Sequence, residues 1–204
     1  LNHLEQQVRD MLIFARGDVQ INDNVSVDEL FDDVKVAIEV PLAAAEVTLR
    51  LEKPVVDSDI PVLRCNRQAL VGALVNLLNN AIQASRASAD VILTAAFCTD
   101  SENSAERQLH AKQLMLSVTD HGHGIAPDIL HRLNEEEAFV TSKSQGTGLG
   151  LAVVRAVSKA HGGQCHISSS VNEETQVSLL LPLEAAKPLC EGQSAQLGSG
   201  VGGG

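Results

Sequence analysis

The chain has 204 residues, 44% of them hydrophobic, which is enough for one cored domain with attachments. Aromatic residues make up 2%, with no Trp and no Tyr, so the core must come from Leu, Val, Ile and Ala, and the scarcity argues against stacking platforms for single-stranded nucleic acid. A net charge of −11 argues against nonspecific contact with DNA or an anionic membrane.

Cys65, Cys98, Cys165 and Cys190 are widely spaced and form no C-x-x-C pair. They read as reduced thiols of a cytosolic protein, with a disulfide pair as the alternative. No apolar run reaches the roughly 20 residues that span a bilayer, and no signal-peptide pattern is present. The expected location is cytoplasmic, without membrane contact. The sequence opens in mid-pattern at Leu1, so it is expected to be a piece of something longer.

Leu1, Leu4, Val8, Met11 and Ala15 step by threes and fours, the a/d spacing of a helix packing on other helices. Gly17 stops that helix. It reads either as a docked amphipathic helix or as the end of a bundle helix, and the second is favoured. Ser26 can cap a second helix, with Asp28 and Glu29 in its first turn and an apolar stripe of Leu30, Val34 and Ile38 reaching about Ala44. Val47 to Glu52 alternates as a half-buried strand does, and Pro61 to Cys65 is a second short strand. Asn66 then caps the longest helix, from about Arg67 to Arg86.

That helix has a core face of Leu70, Ala73, Leu74, Leu77, Leu78 and Ala81. Asn76, Asn80 and Gln83 line up on a neighbouring stripe. Asparagine is a poor helix former, so the stripe suggests a site; a solvated face would be better served by Lys or Glu. Val91 to Phe97 is a strand, Thr99 to Lys112 a polar loop, and Gln113 to Thr119 a strand that delivers Asp120. Pro127 begins a short helix through Leu133. Asn134 to Gln145 has no amphipathic period. A helix follows from Leu149 to Ala160, stopped by Gly162-Gly163, and Gln164–Ser170 and Gln176–Pro182 close the order as strands. This order predicts an α/β (α+β) two-layer sandwich: a single mixed sheet with helices on one face.

Two glycine clusters organise the second half. Asp120-His121-Gly122-His123-Gly124-Ile125 and Gly146-Thr147-Gly148-Leu149-Gly150-Leu151 bracket a segment too polar for the core. Glycine lets backbone approach a ligand closely. The segment therefore reads as a lid held at both ends over an anionic ligand, taken to be ATP. A Rossmann fingerprint fails on spacing, and a P-loop fails for want of Gly-Lys-Ser/Thr. His121 and His123 have no nearby Cys or carboxylate to complete a metal site.

These residues resemble the catalytic domains of sensor histidine kinases, of the GHKL ATPase group. Asn76-Leu77-Leu78-Asn79-Asn80-Ala81 is similar to the N box and Asp120-x-Gly122-x-Gly124 to the G1 box. Phe139 with Thr141-Ser142-Lys143 is similar to the F box and its adjoining Thr-Thr-Lys, and Gly146 through Leu151 to the G2 box. The motifs keep the family's order over about residues 25–183. Leu1 to Gly17 is similar to the second helix of a dimerisation and histidine-phosphotransfer domain. Met11-Leu12-Ile13-Phe14-Ala15-Arg16-Gly17 resembles the flagellar-regulatory sensor kinases allied to the nitrogen-regulation type. The implied division is 1–17 bundle helix, 18–183 catalytic domain, and 184–204 a small-residue tail expected to be disordered.

The resemblance implies a site for ATP and Mg²⁺. Asp120, acceptor only, suits the exocyclic amine of adenine and rejects the acceptor that guanine carries there; its alternative is a turn-forming Asp before Gly. Gly122, Gly124 and Ile125 would pass close to the base and sugar. Asn80 would hold Mg²⁺, Asn76 would face the same phosphates, and Gln83 would contact phosphate one turn on. ATP-hydrolysing relatives carry a Glu where Asn76 stands, and Asn cannot act as a general base, so transfer is favoured over hydrolysis. Gly146, Thr147, Gly148, Leu149, Gly150 and Leu151 lead into a helix N-terminus suited to the triphosphate. Lys143 would reach the phosphates, with an exposed lid lysine as the alternative. Phe139, Thr141 and Ser142 would pack or line the lid, although a loop Phe is as readily core.

The family's Gly-x-Gly-Thr before the last strand is here Asn172-Glu173-Glu174-Thr175, which implies a remodelled turn. The acceptor histidine is expected to be absent, since His3 lies in the wrong helix. The implied partners are a phosphoacceptor helical-bundle domain of the same kinase and a response regulator of the NtrC type, in a parent homodimer. Two other readings stay open: an anti-sigma-type serine kinase and a nucleotide-gated regulatory binding module.

Overall fold

The computed structural model describes residues 20–54, 62–98, 113–135 and 149–183. The expected helix at 1–17, the loop at 99–112, most of the lid segment and the tail at 184–204 lie outside them. The described elements are strand β1 (Asp23–Val25), helix α1 (Val27–Ala45), β2 (Thr48–Glu52), β3 (Leu63–Cys65), helix α2 (Arg67–Ala84), β4 (Asp90–Cys98), β5 (Gln113–Asp120), helix α3 (Pro127–Asn134), helix α4 (Leu149–Ala160), β6 (Gln164–Ser170) and β7 (Glu174–Pro182).

Local chemistry sets the helix ends. Ser26 Oγ accepts from the Glu29 N–H at 3.2 Å and the Glu29 carboxylate accepts from the Ser26 N–H at 2.9 Å, a complete capping box that starts α1. Asn66 Oδ1 accepts from the Ala69 N–H at 2.9 Å and starts α2, as expected. Glu46 ends α1 in the left-handed region, and its N–H closes onto the last carbonyls. Arg67 then joins three elements. Its guanidinium forks onto Asp33 of α1 at 2.6 and 3.0 Å, and its N–H donates to Asp23 of β1 at 2.9 Å. The bond from Arg67 holds the Asp33 carboxyl below the usual carboxylate range.

The main sheet has the order β2-β4-β5-β7-β6, with β2–β4 parallel and the other pairs antiparallel. The expectation of one mixed sheet describes this layer. The short strand around Leu63 does not join it; it pairs instead with β1, which no alternation announced, in a separate two-stranded ribbon. Helices α1, α2 and α4 cover one face of the main sheet. Leu93, Leu114, Leu116, Leu179 and Leu181 from the strands meet Leu30, Phe31, Ile38, Leu70, Leu74 and Leu78 from the helices, all essentially buried. Strand alternation places every second side chain on that face. A smaller cluster of Leu133 and Ile167, joined by Ile125, Ile129, Leu130 and Leu151, seats the amphipathic α3 beside β6.

One row across the sheet breaks the apolar rule. Ser169, Thr175, Asp120, Val91 and Leu49 are successive register partners on the helix-facing side. Three polar residues in line on a buried face need a reason, and the row lies at the end of the sheet where β5 stops.

His161, just past α4, ties the second glycine-led helix to the asparagine helix. Its Nδ1–H donates to the Val157 carbonyl at 2.7 Å, so Nε2 is the acceptor for the Asn66 N–H at 2.9 Å. Burial pushes its pKa down, against the raising effect of the Val157 bond. Protonating Nε2 would evict the Asn66 N–H. A depressed folded-state pKa means stability is complete above the ordinary value of 6.5 and declines as the pH falls below it. Unfolding midpoints measured from pH 7.5 down to 5 should fall through about 6.5, and His161→Gln should lower the midpoint while flattening this window. One turn earlier, the Ser158 hydroxyl is buried with no hydrogen-bond partner among the described residues. Ser158→Ala removes that unmet group and is expected to raise denaturant stability by about 1 kcal/mol.

Candidate nucleotide site

Asp120 is the last residue of β5 and is 5% exposed. Its Oδ1 accepts from the Gly122 N–H at 3.0 Å, which turns the chain sharply away from the strand. A Cβ on Gly122 would sit 2.3 Å from the Ala84 carbonyl oxygen, so this loop presses against the last turn of α2. Gly124 has φ +67, and its Cβ would lie 2.3 Å from the Ser170 carbonyl oxygen. The loop is thus wedged between the end of α2 and the β6–β7 turn. Backbone bonds fix it there: the Asn172 N–H donates to the His123 carbonyl at 3.0 Å, and the Ile125 N–H donates to Ser169 Oγ at 2.9 Å.

The wedge brings together the asparagine stripe and the first glycine cluster. Gln83 precedes Ala84, and Asn80 lies one turn before it on the same helix. Asn76 is half-buried, and Asn80 and Gln83 are exposed. The start of α4 adjoins the other side of the loop, because Ile125 and Leu151 both pack on the Leu133–Ile167 cluster. Leu149, Gly150 and Leu151 form the first turn of α4, whose leading N–H groups have no intrahelical partner. Asn76, Asn80, Gln83, Asp120, Gly122, Gly124, Ile125 and the α4 N-terminus therefore belong to one end of the domain. Phe139, Thr141, Ser142, Lys143, Gly146, Thr147 and Gly148 lie outside the described residues.

His121 and His123 are exposed, and among the described residues no group of three or more His, Cys, Asp and Glu could hold a metal ion. Cys65, Cys98 and Cys165 form no disulfide among the described residues, and burial pushes the Cys65 thiol up to about 11, which makes it inert. Among the described residues no helix is long and apolar enough to cross a membrane.

Two residues of this end escaped the sequence reading. Thr175 pairs with Asp120 across β5–β7, and Ser169 pairs with Thr175 across β6–β7. The signal was available: in Thr175, Val177, Leu179 and Leu181, a hydroxyl leads a buried alternating face. The turn that precedes Thr175 keeps its left-handed residue without glycine, since Asn172 takes φ 59.

Comparison with known proteins agrees with this geometry. The family model described as histidine kinase-, DNA gyrase B-, and HSP90-like ATPase matches residues 65–185. The sensor protein kinase FleS of Pseudomonas aeruginosa is 41% identical over 191 residues, covering 93% of this chain and 42% of the relative. The sensory histidine kinase/phosphatase NtrB of Rhizobium meliloti is 32% identical over 151 residues, covering 72% of this chain and 38% of the relative. The chain thus spans less than half the length of these relatives. Among solved structures, full-length ShkA in complex with AMPPNP superposes with a TM-score of 0.65 at 26% identity, over 89% of this chain and 36% of that one. The histidine kinase AdeS of Acinetobacter baumannii shares the fold, with a TM-score of 0.66 at 21% identity over 90% of this chain and 78% of that one.

The wedge has a direct test. Gly124→Ala places a side chain at positive φ, which costs about 1–2 kcal/mol before any clash is counted. With the Ser170 carbonyl 2.3 Å away the loss should be larger, read as a lower unfolding midpoint. Gly72→Ala, on α2 with nothing within 4 Å of its Cβ, should instead raise the midpoint.

Proposed function

We infer the function from one premise: the chain belongs to the histidine kinase-, DNA gyrase B-, and HSP90-like ATPase family, and its described residues are those of an ATP-binding catalytic domain of the sensor-histidine-kinase type. The whole protein is read as a sensor histidine kinase. In it this domain transfers the γ-phosphoryl of ATP to a histidine on a helical-bundle domain, for relay to an aspartate on a response regulator. Residues 1–17 are read as the end of a bundle helix, 18–183 as the catalytic domain and 184–204 as a tail.

One observation carries the nucleotide reading. A buried carboxylate, Asp120, ends a strand beneath a loop whose two glycines leave no room for side chains. A carboxylate can only accept, so it selects a base that donates at that point, as the adenine amine does. The glycine cradle and the carboxamides on one stripe of α2 fit ATP with a hard, oxygen-seeking ion. Asn80 would hold Mg²⁺ and Asn76 would face the same phosphates; the bound ion would supply charge neutralisation there.

The remaining work falls to the chain's own residues. The N–H groups at the start of α4 favour an anion. Lys143 is proposed to bring a point charge to the phosphates. Phe139, Thr141, Ser142, Gly146, Thr147 and Gly148 are proposed to line or close the lid. Asn76 cannot take a proton from water, so hydrolysis lacks a general base there and the phosphoryl group is kept for a protein acceptor. Catalysis then rests on positioning and electrostatics. The kinship to FleS at 41% identity, with the Met11–Gly17 phrase, supports a flagellar-regulatory sensor kinase acting on an NtrC-type regulator, in a homodimeric parent.

Calorimetric titration tests the nucleotide reading. ATP with Mg²⁺ should bind the chain far more tightly than GTP. Asp120→Asn puts a donor against the adenine amine and should weaken ATP by about tenfold to a hundredfold. Asn80→Ala should weaken Mg²⁺-ATP while leaving metal-free ATP little changed. Equal affinities for ATP and GTP would sink this assignment.

A further inference from the structure

We propose that Ser169 is a positioning residue that sets base specificity by fixing which way the Thr175 hydroxyl points its proton. This rests on the reading that Asp120 receives the adenine amine. The row Ser169–Thr175–Asp120 runs across three neighbouring strands on one face, each residue opposite the next. Such directly opposed side chains lie within reach of a common ligand edge.

The polarity follows from counting hydrogens. A serine hydroxyl has one proton to give and two lone pairs to offer. Ser169 Oγ donates to the Glu174 carbonyl oxygen at 2.9 Å, a group that can only accept. It accepts the Ile125 N–H at 2.9 Å. Its remaining contact, with Thr175 Oγ1 at 2.9 Å, must then be one in which Thr175 donates. The proton of Thr175 is committed to Ser169, so toward Asp120 and the space above it Thr175 offers lone pairs only.

The consequence is a pair of acceptors side by side, the Asp120 carboxylate and the Thr175 oxygen. An exocyclic amine has two hydrogens and satisfies such a pair. A purine with a carbonyl at that position brings a third acceptor and is rejected. Without the Ser169 hydroxyl, the Thr175 proton is released and can turn to meet that carbonyl. The same hydroxyl that orients Thr175 also anchors the Asp120 loop through Ile125, so it serves both the loop and the base edge.

The test is the affinity of the full chain for ATP and for inosine triphosphate, in the wild type and in Ser169→Ala, Ser169→Thr, Ser169→Cys and Asp120→Asn. Ser169→Ala is expected to lower the ATP-to-ITP affinity ratio by about fivefold, the worth of one hydrogen bond. Ser169→Thr, which keeps the hydroxyl, should restore the ratio, and Ser169→Cys should shift it in the same direction as Ala by a smaller factor. A purely structural role for Ser169 would weaken both nucleotides equally and lower the melting temperature, and that result overturns the proposal. If Ser169→Ala does not fold, an unshifted ratio in Ser169→Cys overturns it equally. Asp120→Asn separates the two failures. An unshifted Ser169→Ala ratio alongside ATP binding weakened by Asp120→Asn removes the role of Ser169 alone. ATP affinity left unchanged by Asp120→Asn removes the base site, and the proposal with it.

Discussion

The structure depends on one steric constraint: the Asp120–Ile125 loop has no room for a side chain at Gly122 or at Gly124. At Gly122 it abuts the last carbonyl of α2, and at Gly124 it abuts the Ser170 carbonyl; an added Cβ would lie 2.3 Å from the carbonyl oxygen at each. Contact that close makes the loop a spacer. It sets the distance from the end of β5 to the asparagine helix, and from both to the β6–β7 turn. The buried carboxylate of Asp120 lies where those three elements meet, and its Oδ1 accepts the Gly122 N–H that starts the turn. The carboxylate that shapes the loop is the same one that is proposed to read the ligand.

Rigidity of this end comes from bonds that link elements far apart in sequence. His161 couples the end of α4 to the residue just before α2. Ser169 couples the glycine loop to two adjacent strands. Arg67 couples α2 to α1 and to the small ribbon. These are single hydrogen bonds or exposed ion pairs, each worth little by itself. Their value lies in register: with α2 held at both ends, its polar stripe keeps one fixed orientation to the Asp120 loop. Packing of Leu70, Leu74 and Leu78 against the sheet supplies the bulk of the stabilisation.

Much of this was legible in the sequence because the signals are local. Capping at Ser26 and Asn66, the periods of α1 and α2, and the apolar runs of β4 and β5 each follow from neighbouring residues. The glycine clusters and the asparagine stripe, from which the proposed site was read, are local signals of the same kind. The features that stayed hidden depend on pairing between distant segments. A three-residue strand such as β1 is too short to alternate, and only its partner β3 defines it. The parallel pairing of β2 with β4 cannot be read from either strand alone. Thr175 read as a turn residue and Ser169 as one strand residue among others until register set them in line with Asp120. The missing glycine at Asn172 suggested a remodelled turn; here Asn172 takes a left-handed backbone, and the Glu173 N–H donates to the Ser170 carbonyl at 3.2 Å.

The central claim is that this domain hands a phosphoryl group to a histidine. The most direct measurement supplies the chain with γ-labelled ATP and Mg²⁺ together with a separately prepared two-helix acceptor domain from a sensor kinase of the related type. The account predicts label on the acceptor that is acid-labile and base-stable, and that disappears when Mg²⁺ is chelated or when Asn80→Asp replaces the wild type. Acid-stable label, the mark of a serine or threonine phosphate, would contradict the account, as would release of free phosphate with none reaching the acceptor.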